Sequence, residues 1–212
     1  MCRVVLAPRS PRTWGCEGSA TFTAMTRLNP LTRAELSDDQ GALWDDITRI
    51  RDVKTPGSDV LMGPYDAFVR VPDVGRHVWS FGAHVRHPEN NPRLIEVAIC
   101  TVGSHWRSDF EYWAHAKKAI QHGVDPAVLD AIRDGRTPTF DMDDERVVHA
   151  VTTQLLDQKR VDDATYAEGV ALLGENGMIR LCAVVGYYCS ISMILNLFEI
   201  ELPVGEEPIW PK

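Results

Sequence analysis

Residues 178–198, MIRLCAVVGYYCSISMILNLF, are 21 consecutive positions with a single charge, Arg180. The run is far longer than a typical strand and matches a helix of about 30 Å with apolar side chains on every side. A helix of that kind spans a bilayer, fills a core or lies in a subunit interface. Arg180, Ser190, Ser192 and Asn196 interrupt it, and acidic residues follow it where a membrane helix would carry a basic flank. The core or interface reading is preferred, and no membrane contact is expected.

The rest of the chain shows helical period without convincing strand alternation. Ser37-Asp38-Asp39-Gln40 has capping-box spacing, after which Leu43, Trp44, Ile47 and Ile50 recur on one face. A loop over 52–64 is broken by Pro56, Gly57, Gly63 and Pro64. A short helix over 65–71 should stop at Pro72, which opens the next helix through about His87. Pro88 to Pro92 is a break, followed by a helix from Arg93 to about Trp106. Asp125 caps a helix with Pro126 at its first position and Gly135 beyond its end. Helices over 143–159 and 162–174 precede the long apolar one. The pattern predicts an all-α single domain over residues 25–212. Residues 1–24 are rich in Arg, Pro, Ser, Thr and Gly and show no apolar period, so they are expected to be a disordered extension.

Charge narrows the partners. A net charge of −8 gives no basic footprint for nucleic acid. The five cysteines, Cys2, Cys16, Cys100, Cys182 and Cys189, include no Cys-x-x-Cys. They read as free thiols of a reducing compartment, and a cytoplasmic location is expected. Cys182 and Cys189 share a helix face but lie about 10 Å apart along it, too far for a disulfide.

Chemistry concentrates between residues 93 and 118. The helix from Arg93 carries apolar residues in nearly every direction, with Glu96 the one acid inside it. A carboxylate there either pairs with Arg93 one turn away or, unpaired and buried, has the raised pKa suited to acid/base work. In SHWRSDFEYWAHAKK (104–118), Ser108, Glu111, His115 and Lys118 fall on one stripe of a helix and Phe110, Trp113, Ala114 and Ile120 on the other. By amphipathicity alone the polar stripe would face water. Glu111 and His115, at i and i+4, form either a surface pair worth a few tenths of a kcal/mol or an acid/base couple.

The segment PRLIEVAICTVGSHWRSDFEYWAHAKKAIQHGV resembles the core motif of the carboxymuconolactone decarboxylase family, which includes the alkylhydroperoxidase D type. Thiol-active members carry Glu, eleven residues, Cys, two residues, Cys, three residues and His. From Glu96, those positions are Ser108, Glu111 and His115, so the Glu and His are in register and both cysteines are absent. The resemblance extends over roughly residues 30–205, including GYYCSISMILNLFEIELP. It implies a multi-helix alkylhydroperoxidase D-like bundle, a pocket between helices with the stripe facing it, and a homo-oligomer, trimer or hexamer. Disulfide-based peroxide reduction needs a reactive thiol and a resolving thiol, and this motif has neither.

The expected function is acid/base chemistry on a small molecule, resembling a decarboxylase: decarboxylation or isomerisation of a lactone or an unsaturated carboxylic acid. His115 is the expected acid/base, with Glu111 orienting it and Glu96 assisting. Ser108, His105, Trp106, Tyr187 and Asn196 are the expected substrate contacts. The alternatives are an antioxidant peroxidase using Cys100 and a non-catalytic ligand-binding protein. No cofactor and no metal are expected, because Glu-x-x-x-His is not the Glu-x-x-His of di-iron bundles.

Overall fold

The computed structural model describes residues 26–87 and 90–211. The expectation for residues 1–24 lies outside them. Among the described residues eight α-helices follow one another, after a short 3-10 turn at Arg33–Glu35: α1 (Asp38–Ile50), α2 (Tyr65–Arg70), α3 (Pro72–Val85), α4 (Pro92–His105), α5 (Asp109–Gln121), α6 (Pro126–Arg133), α7 (Asp143–Asp157) and α8 (Asp163–Leu197). Among the described residues the only β pairing is two isolated bridges, Thr32 with Val60 and Lys54 with Leu61.

Local chemistry sets most boundaries. The Ser37 hydroxyl accepts from Gln40 N–H and the Gln40 side chain returns the bond, closing the box at the start of α1. Asn91 and Asp125 cap α4 and α6, each with a proline at the first helical position, where a missing N–H costs nothing. Ends differ by a residue or two from the sequence reading: α3 stops at Val85, α4 begins at Pro92 and α7 ends at Asp157. The expected pair of helices over 162–174 and 178–198 is one element broken at Gly174, whose φ of 71° and ψ of 166° are open only to glycine. The chain turns there and becomes helical again at once, so residues 175–177 are helical rather than linking.

α4 is the axis of the bundle, packed by α5, α6, α7 and α8, while α1, α2 and α3 pack together and reach α8 through α3. Residues 95–103 of α4 are all buried. Arg93 fastens the start of α4 to the start of α7, pairing with Glu145 and with Asp144 (2.6 Å). It therefore does not neutralise Glu96. The second half of α8 buries Leu181, Val184, Val185, Tyr188, Ile191 and Leu195. It is long and apolar enough to cross a membrane by length and composition, but it is used here as a packing element. It is not buried all round: Ile179, Met193 and Leu197 are 68%, 46% and 58% exposed.

Candidate active site

The amphipathicity of α5 is inverted. Glu111 and His115 face the core, 3% and 6% exposed, while Ile120 on the opposite side is 50% exposed. Phe110 and Trp113 are only half-buried. The inversion is forced by α4, whose Glu96 is itself 6% exposed and needs a polar partner across the helix interface.

That partner is His115. Its Nδ1 lies 2.6 Å from Glu96 Oε2, and its Nε2 lies 3.2 Å from Glu111 Oε1. The first contact is an aligned hydrogen bond; the second is not, and Glu111 Oε1 has no hydrogen-bond partner. One imidazole is thus held between two buried carboxylates, with the shorter contact to Glu96 rather than to Glu111. With His115 Nδ1–H donating to Glu96, Nε2 is the nitrogen left to exchange a proton. Burial pushes the Glu111 carboxyl above the usual carboxylate range, a shift opposed by His115, Lys118 and Arg86 and reinforced by Glu96. A neutral Glu111 suits an unprotonated Nε2, and an ionised one suits an imidazolium.

Two cations complete the surroundings of the site: Lys118, on the stripe of Ser108, Glu111 and His115, and Arg86, which sequence reasoning did not place there. Burial draws the Lys118 ammonium below its ordinary pKa, with Glu96 and Glu111 opposing the shift. Arg86, just past α3, donates to the Tyr188 hydroxyl (2.8 Å) and lies over the Tyr187 and Tyr188 rings at 5.7 and 5.9 Å. The Tyr188 ring meets the His115 ring edge-on at 5.1 Å. No local pattern marks Arg86, because it reaches the site from another helix. The only available hint was that tyrosines on an apolar helix need polar partners.

The other expected residues divide. Ser108 is the N-cap of α5, fully buried, with no hydrogen-bond partner for its hydroxyl. It stands one turn before Glu111, on the same stripe. Tyr187 packs edge-on against Phe81 and faces Gly82, where a β-carbon would collide with its hydroxyl. His105, Trp106 and Asn196 form a group apart from the triad. His105 Nδ1 pairs with Asp157 (3.2 Å), its ring meets Trp106, and Asn196 Nδ2 donates to the Trp106 carbonyl (2.8 Å). That group ties the turn after α4 to the ends of α7 and α8.

Of the described thiols, Cys100 is the one that feels the carboxylates of the site. Cys100 is buried on α4, and burial, with Glu96 and Glu111 adding to it, raises its pKa well above normal. Such a thiol stays protonated and is a poor nucleophile. Among the described residues, no group of three or more His, Cys, Asp or Glu side chains is disposed to hold a metal ion.

No family model and no curated relative matches this sequence. The solved structures similar to it include two that share its helical architecture. One is an uncharacterized peroxidase-related protein from Ralstonia eutropha JMP134, described as an alkylhydroperoxidase AhpD core. It has a TM-score of 0.64 at 12% identity and covers 85% of this chain and 93% of that one. The other is a protein of unknown function from Agrobacterium tumefaciens, described as a candidate antioxidant defence protein AhpD. It has a TM-score of 0.58 at 14% identity and covers 64% of this chain and 94% of that one. At such identities the likeness carries the architecture, so in fold this chain is alkylhydroperoxidase D-like, without the Cys-x-x-Cys pair.

Proposed function

We propose that the protein is an acid/base enzyme acting on a small carbonyl compound, by decarboxylation or isomerisation of a lactone or an unsaturated carboxylic acid. The observation that carries this reading is the enclosed His115 imidazole between Glu96 and Glu111. Glu96 holds the ring through Nδ1 and stabilises its positive charge, which leaves Nε2 to deliver a proton to carbon or remove one. Loss of carbon dioxide next to a carbonyl leaves enolate-like charge, which Lys118 and Arg86 are placed to offset from nearby. Ser108, with its unpartnered hydroxyl, is the proposed substrate contact on α5. Tyr187, on α8, lies beside Arg86.

The names of the two similar structures favour a second reading, antioxidant or peroxidase chemistry. That reading needs a thiolate, and the buried Cys100 is held as a thiol. A ligand-binding protein without turnover is the third. A mass-spectrometric screen of lactones and unsaturated carboxylic acids, scored for loss of carbon dioxide or for isomerisation, alongside a peroxide-consumption assay, separates the three. Turnover of an acid or lactone with no peroxide consumption supports the acid/base reading. Thiol-dependent peroxide consumption overturns it, as does binding without turnover.

We also propose a homo-oligomer, a trimer or hexamer as the resemblance implies, and a cytoplasmic location; the exposed apolar stripe Ile179, Met193 and Leu197 on α8 supports only that the chain associates.

A further inference from the structure

Asn90, just before α4, is buried and holds two neighbours at once. Its Nδ2 donates to the Val85 carbonyl and its Oδ1 accepts from Arg180 Nη1, both at 3.1 Å. Arg180 thus has one edge of its guanidinium fixed by a neutral group. Among the described residues no carboxylate pairs with it, whereas Arg93 takes two.

Around Arg180 opens a cleft of about 390 Å³ at the elbow where α8 bends. Its wall is apolar, built from Leu94 and Ile95 of α4, Val148 of α7, and Leu181 and Val184 of α8. Its rim is polar, and Arg180 is the one charged side chain lining it among the described residues. The first turn of α4 borders the same space, since Asn91 is its N-cap, so the positive end of that helix adds to the field at the rim. Glu96, Glu111 and His115 do not line the cleft.

We propose that this cleft is a second ligand site, distinct from the triad, that binds a small monocarboxylic acid with an apolar body. The carboxylate sits on the free edge of the Arg180 guanidinium, which presents paired N–H donors in carboxylate geometry. The hydrocarbon part lies on the aliphatic wall. The volume falls at the lower end of small-molecule pockets, which run from about 300 to 1,000 Å³. One cation matches one carboxylate, whereas a phosphate dianion would call for more positive charge than the rim holds.

Isothermal titration of the full chain with octanoate, and with 1-octanol as its neutral counterpart, tests the site. Octanoate is expected to bind saturably, one per chain. Arg180→Gln should weaken octanoate by about tenfold or more and leave octanol unchanged. Asn176→Trp, at the exposed rim, should weaken both, and melting temperatures of both variants report that the fold is kept. Absence of saturable octanoate binding overturns the proposal, including when a second copy of the chain fills the cleft. Equal octanoate affinity in wild type and Arg180→Gln overturns it as well.

Discussion

His115 Nδ1 and Glu96 Oε2 are 2.6 Å apart across the α4–α5 interface, both side chains 8% exposed. A pair so enclosed is poorly screened, so removing one partner leaves an uncompensated charge in the core. The bond also fixes which imidazole nitrogen faces Glu111. On the acid/base reading, His115→Gln and Glu96→Gln should each lower turnover by about 10²-fold or more. The double variant should be little worse than either, because members of one catalytic unit are not additive. Full activity in His115→Gln, with circular dichroism showing a native fold, would remove His115 from the chemistry.

Glu111 makes a separate, thermodynamic prediction. Its folded pKa lies above the unfolded value because burial penalises the charge. Well below the unfolded carboxylate value of about 4.3, both states are protonated and there is no penalty. As pH rises through the folded value, the protein must keep buried a charge that the unfolded chain leaves in water, so stability falls. Glu111→Gln should therefore raise the melting temperature at pH 7–8, by roughly 2–4 °C for each kcal/mol recovered. The gain should shrink as the pH is lowered towards 4. Calorimetry showing the same difference between variant and wild type at every pH contradicts this.

Thiol reactivity should follow burial and pKa. Cys182 is exposed, Cys189 is half-buried with its pKa raised by burial, and Cys100 is fully buried. In a Cys2→Ser, Cys16→Ser background, a disulfide reagent should label Cys182 first, Cys189 more slowly and Cys100 only on unfolding. Replacing all five cysteines should leave acid/base turnover within about threefold, where the core tolerates the changes. Rapid labelling of Cys100 in the native protein would revive the thiol reading.

Assembly is read by light scattering. Ile179, Met193 and Leu197 recur on one face of α8 and leave an apolar stripe uncovered in the single chain. The full chain should elute as a trimer or hexamer at micromolar concentration, and Ile179→Glu with Leu197→Glu should shift it towards monomer. A monomeric wild type at that concentration contradicts the expectation.

The amino-terminal boundary is tested by truncation. Thr26 Oγ1 and Arg27 N both donate to the Phe198 carbonyl, at 2.9 and 2.8 Å, and Arg27 pairs with Glu199. A chain beginning at Met25 should melt within a few degrees of the full chain. One beginning at Leu28 loses these ties to the end of α8 and should be less stable by about 1–2 kcal/mol. A large loss on removing 1–24 alone would show that this segment docks.

The order of the helices and most of their ends were legible in the sequence, because they rest on local chemistry. Ser37 with Gln40, Pro92 after Asn91, Pro126 after Asp125 and Gly174 each act on the backbone within a few residues. The register of Glu96, Ser108, Glu111 and His115 was also legible, as spacing. Which way that stripe faces was not, since an amphipathic helix looks alike whether its polar side meets water or a buried acid on the next helix. Nor could spacing pair Arg93 with Asp144 and Glu145 instead of Glu96, draw Arg86 towards His115, or move His105, Trp106 and Asn196 away. Those outcomes depend on how α3, α4, α5, α7 and α8 pack, where each buried charge takes the partner that the whole fold brings within reach.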